Sequence, residues 1–424
     1  MKEVFLHYVW QQQLFDKSDL KTEDNQPVTI IQPGFLNHEA GPDFLQAQLK
    51  IGEMVWFGAV EIHVSAKDWE HHRHHFDAAY DQVILHVVWD YNADARRKDN
   101  SVIPTLSLSQ RVAHDLLLNF QNLHTAGQDK LSCAKSLHNV DEIYKLSALE
   151  QAASQRLSRK SNEVLDIYRG HQNDWAQTAF QVLCAAYGFK TNAKAFSRLG
   201  QIVPYKNLLK QRHSLDATIA LLVHASGLAY SDKLHKRLID EIRHTGHKYA
   251  SITQQMEGHE FKLFPVRPPN APLMRILQLA ALIFLNGDLY QLLYQTQELD
   301  FFYQLIDEAN QYLKKRNPTR GKVYAMSKAS MQHLIINAIV PFQMALSKYT
   351  GQPKLEENAI SLLEKLPAEK NRYTKLLSEH GFPLQTALDS QGALDLQKFR
   401  CLQNQCLNCP VGSYIMKNHK LVVI

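Results

Sequence analysis

The residues of this chain best placed to do chemistry are two carboxylates and an imidazole: Asp43, Glu61 and His63. Asp43 stands in Gly41-Pro42-Asp43-Phe44, the other two stand in Val60-Glu61-Ile62-His63, and the residues between read as a β-hairpin. A turn centred on Gly52 pairs Leu49 with Val55, Ala47 with Phe57, Leu45 with Ala59 and Asp43 with Glu61. Strand side chains alternate with period two, so the odd-numbered face is apolar until it ends in Asp43, Glu61 and His63. Opposed side chains on one face have Cβ atoms about 5 Å apart, where two like charges repel unless something positive lies between them. The expectation is a divalent cation shared by Asp43 and Glu61, with His63 in reach. The competing reading is a solvated pair at a strand end, and one bulge would re-aim Glu61.

Other residue groups carry weaker chemistry. His71, His72, His74 and His75 follow the hairpin; His71 and His75 are four apart, which suits zinc on a helix, although no Cys or Glu lies at zincin spacing. His72, His74 and Asp77 can instead line a substrate groove beside the carboxylates. His86 lies within an apolar strand and reads as a core histidine. Near the C-terminus Cys401, Cys406 and Cys409 form a C-x4-C-x2-C cluster followed by Pro410 and Gly412, and Cys133 is available as a fourth thiolate. Such a set can hold Zn²⁺ or an iron–sulfur cluster, or can be unmetallated thiols. Cys184 sits in an apolar helical pattern and reads as packing. Arg267, Asn270 and Arg275 bring two cations and an amide to a helix entrance, where Asn270 can cap the helix or the group can take a substrate phosphate. Lys145, Arg156, Arg159 and Lys160 make a basic helix stripe, which usually means a solvated face.

The elements that must position these residues change character near residue 115. Before it, Val4 to Phe15 has helical periodicity, Val28 to Gln32 is a short strand, and the hairpin follows. A polar segment from about Trp69 to Asp81 can be helical. Val83 to Trp89 is an almost continuous apolar run, as in a strand buried on both faces, and Val102 to Leu108 can add one more strand. The order is αβββαβ. Beyond a linker at about Thr125 to Asp129, apolar spacings of three and four mark helices at Glu142 to Tyr168, Trp175 to Ala186, Ser214 to Gly227, Met274 to Leu285, Ser327 to Leu346 and Ile360 to Leu366. The expected fold is α+β in two parts: an α/β domain over 1–115, a large all-helical domain over 130–396, and a cysteine-bearing tail over 397–424.

At 424 residues the chain can bury a large core, and 45% apolar with 21% charged residues is ordinary for a globular protein. A net charge of +5 allows nucleic acid without arguing for it. No apolar run approaches a membrane span and no secretory signal pattern opens the chain, so no membrane partner is expected. Five cysteines, unevenly spread, fit a reducing, cytoplasmic compartment better than a disulfide framework.

The order of elements, with Pro42-Asp43 before the hairpin turn and Glu61-Ile62-His63 after it, resembles the catalytic core of the PD-(D/E)XK nuclease superfamily, with histidine in the lysine position. The wider block resembles one uncharacterised bacterial family of unknown function, through Gly41-Pro42-Asp43-Phe44, Val60-Glu61-Ile62-His63, Asp68-Trp69, His72, His74, Asp77, Tyr80, Leu85-His86-Val87-Val88, Arg267-Pro268, Asn270 and Arg275. The superfamily resemblance implies a restriction-endonuclease-like core and Mg²⁺ or Mn²⁺ on Asp43 and Glu61. The Ile62 carbonyl is a possible third ligand, and Glu3 or His38 could complete the sphere. It also places His63 at the attacking water. The residues expected against the substrate, from their position in the chain, are His72, His74, Asp77 and Tyr80 beside the carboxylates and Arg267, Asn270 and Arg275 at the helix entrance. The cysteine trio with one upstream partner resembles the iron–sulfur staple of some RecB-like nucleases. Two functions follow: a metal-dependent phosphodiesterase acting on DNA or RNA, or a non-catalytic module that binds nucleic acid or protein on a degenerate nuclease core. Histidine is not a fixed cation as lysine is, so the substitution leaves both open.

Overall fold

In the computed structural model, residues 1–125, 131–230, 232–249 and 254–418 are described; positions 126–129 of the expected linker lie outside them. The fold is α+β in two compact units, residues 1–145 with 398–424, and residues 146–397.

The first unit opens with α1 (Glu3–Gln11), which buries Phe5, Leu6, Tyr8, Val9 and Trp10. Strands β1 (Val28–Gln32), β2 (Phe35–Leu36), β3 (Phe44–Ile51), β4 (Met54–Ser65), β5 (Val83–Asp90) and β6 (Thr105–Ser107) form one mixed sheet in the order β1-β3-β4-β5-β6, with β2 on β3. β1, β3 and β4 are antiparallel neighbours, whereas β4, β5 and β6 run parallel. β5 is buried from Val83 to Val88, as its unbroken apolar run requires. The C-terminal helix Pro410–Lys417 belongs to this unit: Tyr8 and Ser413 share a hydroxyl hydrogen bond of 3.1 Å, and Asn119 Nδ2 donates to the Ile415 carbonyl at 3.1 Å.

The hairpin departs from the expected register and then regains it. Near the turn Leu49 pairs with Trp56 rather than Val55, and Ala47 with Gly58 rather than Phe57. Val55 and Phe57 therefore turn to the other face and are 46% and 73% exposed. A bulge between Phe44 and Ala47, with Gln46 in the left-handed region (φ 59°), inserts one residue into β3, after which Phe44 pairs with Val60. The next pair outward along that register is Asp43 and Glu61.

The segment between β4 and β5 is not the continuous helix expected over 69–81. It is a single helical turn, α2 (Asp68–His71), then two 3₁₀ turns, His74–Phe76 and Ala78–Tyr80. Arg73, at φ 60°, ends the helix, and Asp77 restarts the chain by accepting the Ala79 amide at 2.9 Å. His71 and His75 thus do not lie one turn apart on one helix. The remaining helix of the sheet domain is α3 (His114–Thr125).

In the second unit the expected helices form. The 12-residue helix Leu215–Ser226 starts on a Ser214 cap and stops at Gly227 (φ 64°). The segment expected as one helix over 327–346 is interrupted by a π turn at Ile335–Ile339, just where Pro341 has no N–H to return to the preceding turn. No single described helix is long and apolar enough to cross a membrane; helices Pro272–Leu285 and Leu289–Gln295 reach that composition only together, across an 88° bend.

Candidate metal centre

The two carboxylates meet because each is tied to the other's strand. The Asp43 amide donates to Glu61 Oε2 at 3.0 Å, and the Ile62 amide donates to Asp43 Oδ2 at 2.9 Å. The loop before Asp43 is held by Asn37, whose backbone amide donates to the Asp43 carbonyl at 2.7 Å and whose side chain donates to the Pro42 carbonyl at 3.1 Å. Gly41 turns that loop at φ 109°, a conformation side chains rarely adopt. Glu61 is 4% exposed. Burial first, and then the charge of Asp43, push its carboxyl up to about 9, despite the Asp43 amide bond that opposes the shift.

α1 completes this side of the site. His7 Nε2 lies 3.2 Å from Asp43 Oδ2, and Glu3, one turn earlier on the same face, is held above the usual carboxylate range by burial and then by Asp43. Glu3 thus feels the charge of Asp43 from α1. His38 is exposed, and the imidazole beside Asp43 belongs to His7 instead. His7 was missed; its signal was a polar residue four after Glu3, set among the buried Phe5, Leu6, Tyr8, Val9 and Trp10 of the same helix.

On the other side of Glu61 stand imidazoles. Register places Glu61 beside His86 and His63 beside Val88 across the parallel β4–β5 pair. His63, 1% exposed, has Nδ1 2.8 Å from His86 Nε2 and Nε2 3.2 Å from His72 Nδ1. Glu61 Oε1 lies 3.5 Å from His63 Nε2 and 3.4 Å from His74 Nε2. Tyr80 stacks on His74 at 3.8 Å between ring centroids, and Trp69 meets the same ring edge-on at 5.4 Å. Trp69 is itself fixed by donating its indole N–H to the Arg96 carbonyl at 2.9 Å. Burial, reinforced by neighbouring imidazoles, drives His63 down to about 2, His86 to about 3 and His74 to about 4. His63 is thus a neutral imidazole and not a stand-in for a lysine cation. Burial, then the Glu61 and Asp43 charges, raise Tyr80 to about 12. His86 is a core residue, as expected, but its ring also orients His63.

The donor set fits a cation. No lysine or arginine pairs with Asp43 or Glu61 among the described ion pairs, and the buried Nε2 atoms of His7 and His74 face the carboxylates without a hydrogen-bond partner. His63, His72 and His74 are the described group of His, Cys, Asp or Glu whose ligand atoms all lie within 4.8 Å of one another. Asp77 is exposed and spent on its cap, while His71 points to solvent and pairs with Asp68 at 3.5 Å.

The remaining expected site residues are placed otherwise. Arg275, in the second unit, is 2% exposed; it donates to Gln278 at 2.8 Å, to Ser330 at 3.1 Å and to Asn270, and lies over the Phe189 ring at 4.2 Å. It is packed rather than open to phosphate, and burial lowers it to about 10. Asn270 is engaged by Arg275 and does not cap the helix, whose N-cap is Ala271. Arg267 is exposed ahead of that helix. In the basic stripe Arg159 pairs with Asp395 and Lys160 with Glu163, so its charge is largely answered. Cys133, Cys401, Cys406 and Cys409 share the first unit, where Ser132 donates to Asn404 at 3.3 Å and the Cys409 amide donates to the Cys406 carbonyl at 3.1 Å. Burial, and then the other thiols, raise Cys133 to about 12 and Cys406 to about 11. The four sulfurs are not among the groups gathered within 4.8 Å.

No curated protein and no solved structure matches this chain. Residues 3–372 match a family model described as Protein of unknown function (DUF2851), a match that takes in Glu3, His7, Asp43, Glu61 and all the imidazoles of the site, and the chain belongs to that family.

Proposed function

We propose that the protein is a divalent-metal-dependent phosphodiesterase that hydrolyses the backbone of DNA or RNA. The observation that carries this reading is the close meeting of partly exposed Asp43 with buried Glu61, with no lysine or arginine paired to either among the described ion pairs, an acidic pair that a hard cation answers. Asp43, Glu61 and Glu3 are the oxygen donors for Mg²⁺ or Mn²⁺. A cation held there would neutralise charge on a phosphate and lower the pKa of a bound water. The chain's own part is to aim the carboxylates through the two amide bonds, to place His7 where it can hold a proton beside Asp43, and to wall one side of the site with His74 and Tyr80.

The competing reading, a non-catalytic nucleic-acid or protein binding module, draws on the buried neutral His63, which lacks the fixed charge of the lysine it replaces. The test uses purified full-length protein with Mg²⁺ or Mn²⁺ on single-stranded, double-stranded and structured DNA and RNA. Metal-dependent cleavage that is lost in Asp43→Asn, with folding retained, is the expected result. Intact substrates under both ions favour the binding module.

A further inference from the structure

The imidazoles beyond Glu61 form a coordination position of their own, different in chemistry from the carboxylate pair. His63 Nε2 and His72 Nδ1 are 3.2 Å apart, and with His74 Nε2 all three ligand atoms lie within 4.8 Å. Glu61 Oε1 stands 3.5 and 3.4 Å from the first and third of them. Three imidazole nitrogens and one carboxylate oxygen are the donor number and type of a tetrahedral first-row transition-metal site. Mg²⁺ and Ca²⁺, which take oxygen ligands, do not suit them.

The local structure builds this convergence. Arg73 in the left-handed region ends α2 between His72 and His74 and lets both rings turn to the same point; a continuous helix would have set them about 200° apart. His63 Nδ1 faces His86 Nε2 at 2.8 Å, and a proton on Nδ1 leaves Nε2 free for a metal. His74 Nε2 is buried without a hydrogen-bond partner and aimed at Glu61, while the Tyr80 stack keeps its ring in that orientation.

We infer that His63, His72 and His74, with Glu61 Oε1, form a binding site for a transition-metal cation of the Zn²⁺, Mn²⁺, Fe²⁺ or Co²⁺ class. Glu61 is the shared residue: Oε2 accepts the Asp43 amide on the carboxylate side and Oε1 faces the imidazoles, the layout of a centre with two metal positions. The site stands beside the proposed hydrolytic one, yet its occupancy does not depend on hydrolysis.

Cobalt(II) is the probe, added to full-length protein stripped with a chelator and read by visible absorption. The expected result is a ligand-field spectrum that saturates at one Co²⁺ per chain, is erased by Zn²⁺ and survives excess Mg²⁺. His72 is exposed, so His72→Ala should leave the melting curve unchanged and weaken Co²⁺ binding by more than about tenfold. His72→Ala with His74→Ala should abolish the spectrum, and Asp43→Asn should retain it. Thiolate-bound cobalt would add strong near-ultraviolet charge-transfer bands, and a spectrum that comes only with such bands, or one unchanged in the double variant, overturns the assignment. So does the absence of any ligand-field spectrum. A chain that binds cobalt in this way and cleaves no nucleic acid keeps the imidazole site and removes the phosphodiesterase; cleavage with Mg²⁺ but no cobalt spectrum does the reverse.

Discussion

Asp43 and Glu61 are cross-braced: the amide of Asp43 donates to the Glu61 carboxylate at 3.0 Å, and the Asp43 carboxylate accepts the amide of Ile62, the residue after Glu61, at 2.9 Å. The two carboxyl groups are thereby held together by backbone donors, while burial and the Asp43 charge favour a proton on Glu61 until a cation displaces it. That arrangement shapes several measurable properties.

Replacement of Asp43 separates charge from support. Asparagine keeps an oxygen for the Ile62 amide, so Asp43→Asn should change stability by less than about 1 kcal/mol while lowering metal affinity. Asp43→Ala leaves that amide without its acceptor and should cost about 1–3 kcal/mol in urea denaturation. Equal stability losses in the two variants would show that the bond to Ile62 contributes nothing.

The bulge absorbs one residue without moving the site. Between Ala47↔Gly58 and Phe44↔Val60, β3 takes three steps where β4 takes two, and Gln46 carries the left-handed backbone of that bulge. Deleting Gln46 would run the ladder unbroken with Phe44 still opposite Val60 and Asp43 opposite Glu61, so divalent-metal binding at the carboxylates should survive the deletion. Gln46→Gly, which suits φ 59°, should likewise preserve binding and leave stability unchanged or raise it by up to about 1 kcal/mol. Calorimetric titration with Mn²⁺ checks both, and loss of binding in the deletion variant would mean that the bulge itself aims Asp43.

The metal-free protein should respond to pH in two opposite directions. Glu61 is raised from 4.5 to about 9, so between those values the folded chain holds a proton that the unfolded chain does not, and its contribution to stability falls as pH rises. His63 is lowered from 6.5 to about 2, so below about 6.5 the unfolded chain takes a proton first and stability falls as pH drops. For these groups the best compromise lies between about 4.5 and 6.5. Mn²⁺, which needs Glu61 ionised, should displace about one proton per ion near pH 7 and move the stability maximum upward. Melting temperatures that climb steadily to pH 9 in chelator would refute this account.

His86 acts on a metal only through His63. With Nε2 2.8 Å from His63 Nδ1, it orients the ring that presents Nε2 to His72 and His74. His86→Gln should weaken Co²⁺ binding by about 10–100-fold, while leaving the ligand-field band shape nearly unchanged. An altered band shape would mean that His86 is itself a ligand.

The thiols of Cys133 and Cys406, raised to about 12 and about 11, should be protonated in the metal-free protein at pH 8. Alkylation by iodoacetamide should lag an unperturbed cysteine by at least about 100-fold, because the thiolate is the nucleophile. Metal analysis of anaerobically purified protein then reports whether Zn²⁺ or iron with sulfide accompanies the cysteines, and Cys133→Ser reports whether that residue is needed.

The two-part α+β fold, the hairpin, the buried strand at Val83 to Val88 and most helices of the second unit were legible in the sequence, because each rests on local periodicity and on turn or cap residues such as Gly52, Ser214 and Gly227. The partnership of Asp43 with Glu61 was legible too, although the simple register that pointed to it is wrong near the turn and correct only beyond the bulge. What no local pattern could supply was the company these carboxylates keep. His7 comes from a helix some 36 residues before Asp43, His86 from a strand paired in parallel, and His72 with His74 from a segment whose helix Arg73 breaks. Arg275 read as an open cation and is instead enclosed by Phe189, Gln278 and Ser330. Periodicity specifies which face of an element a side chain occupies, whereas the packing of distant elements determines which faces meet, and only that second step turns scattered histidines into a site.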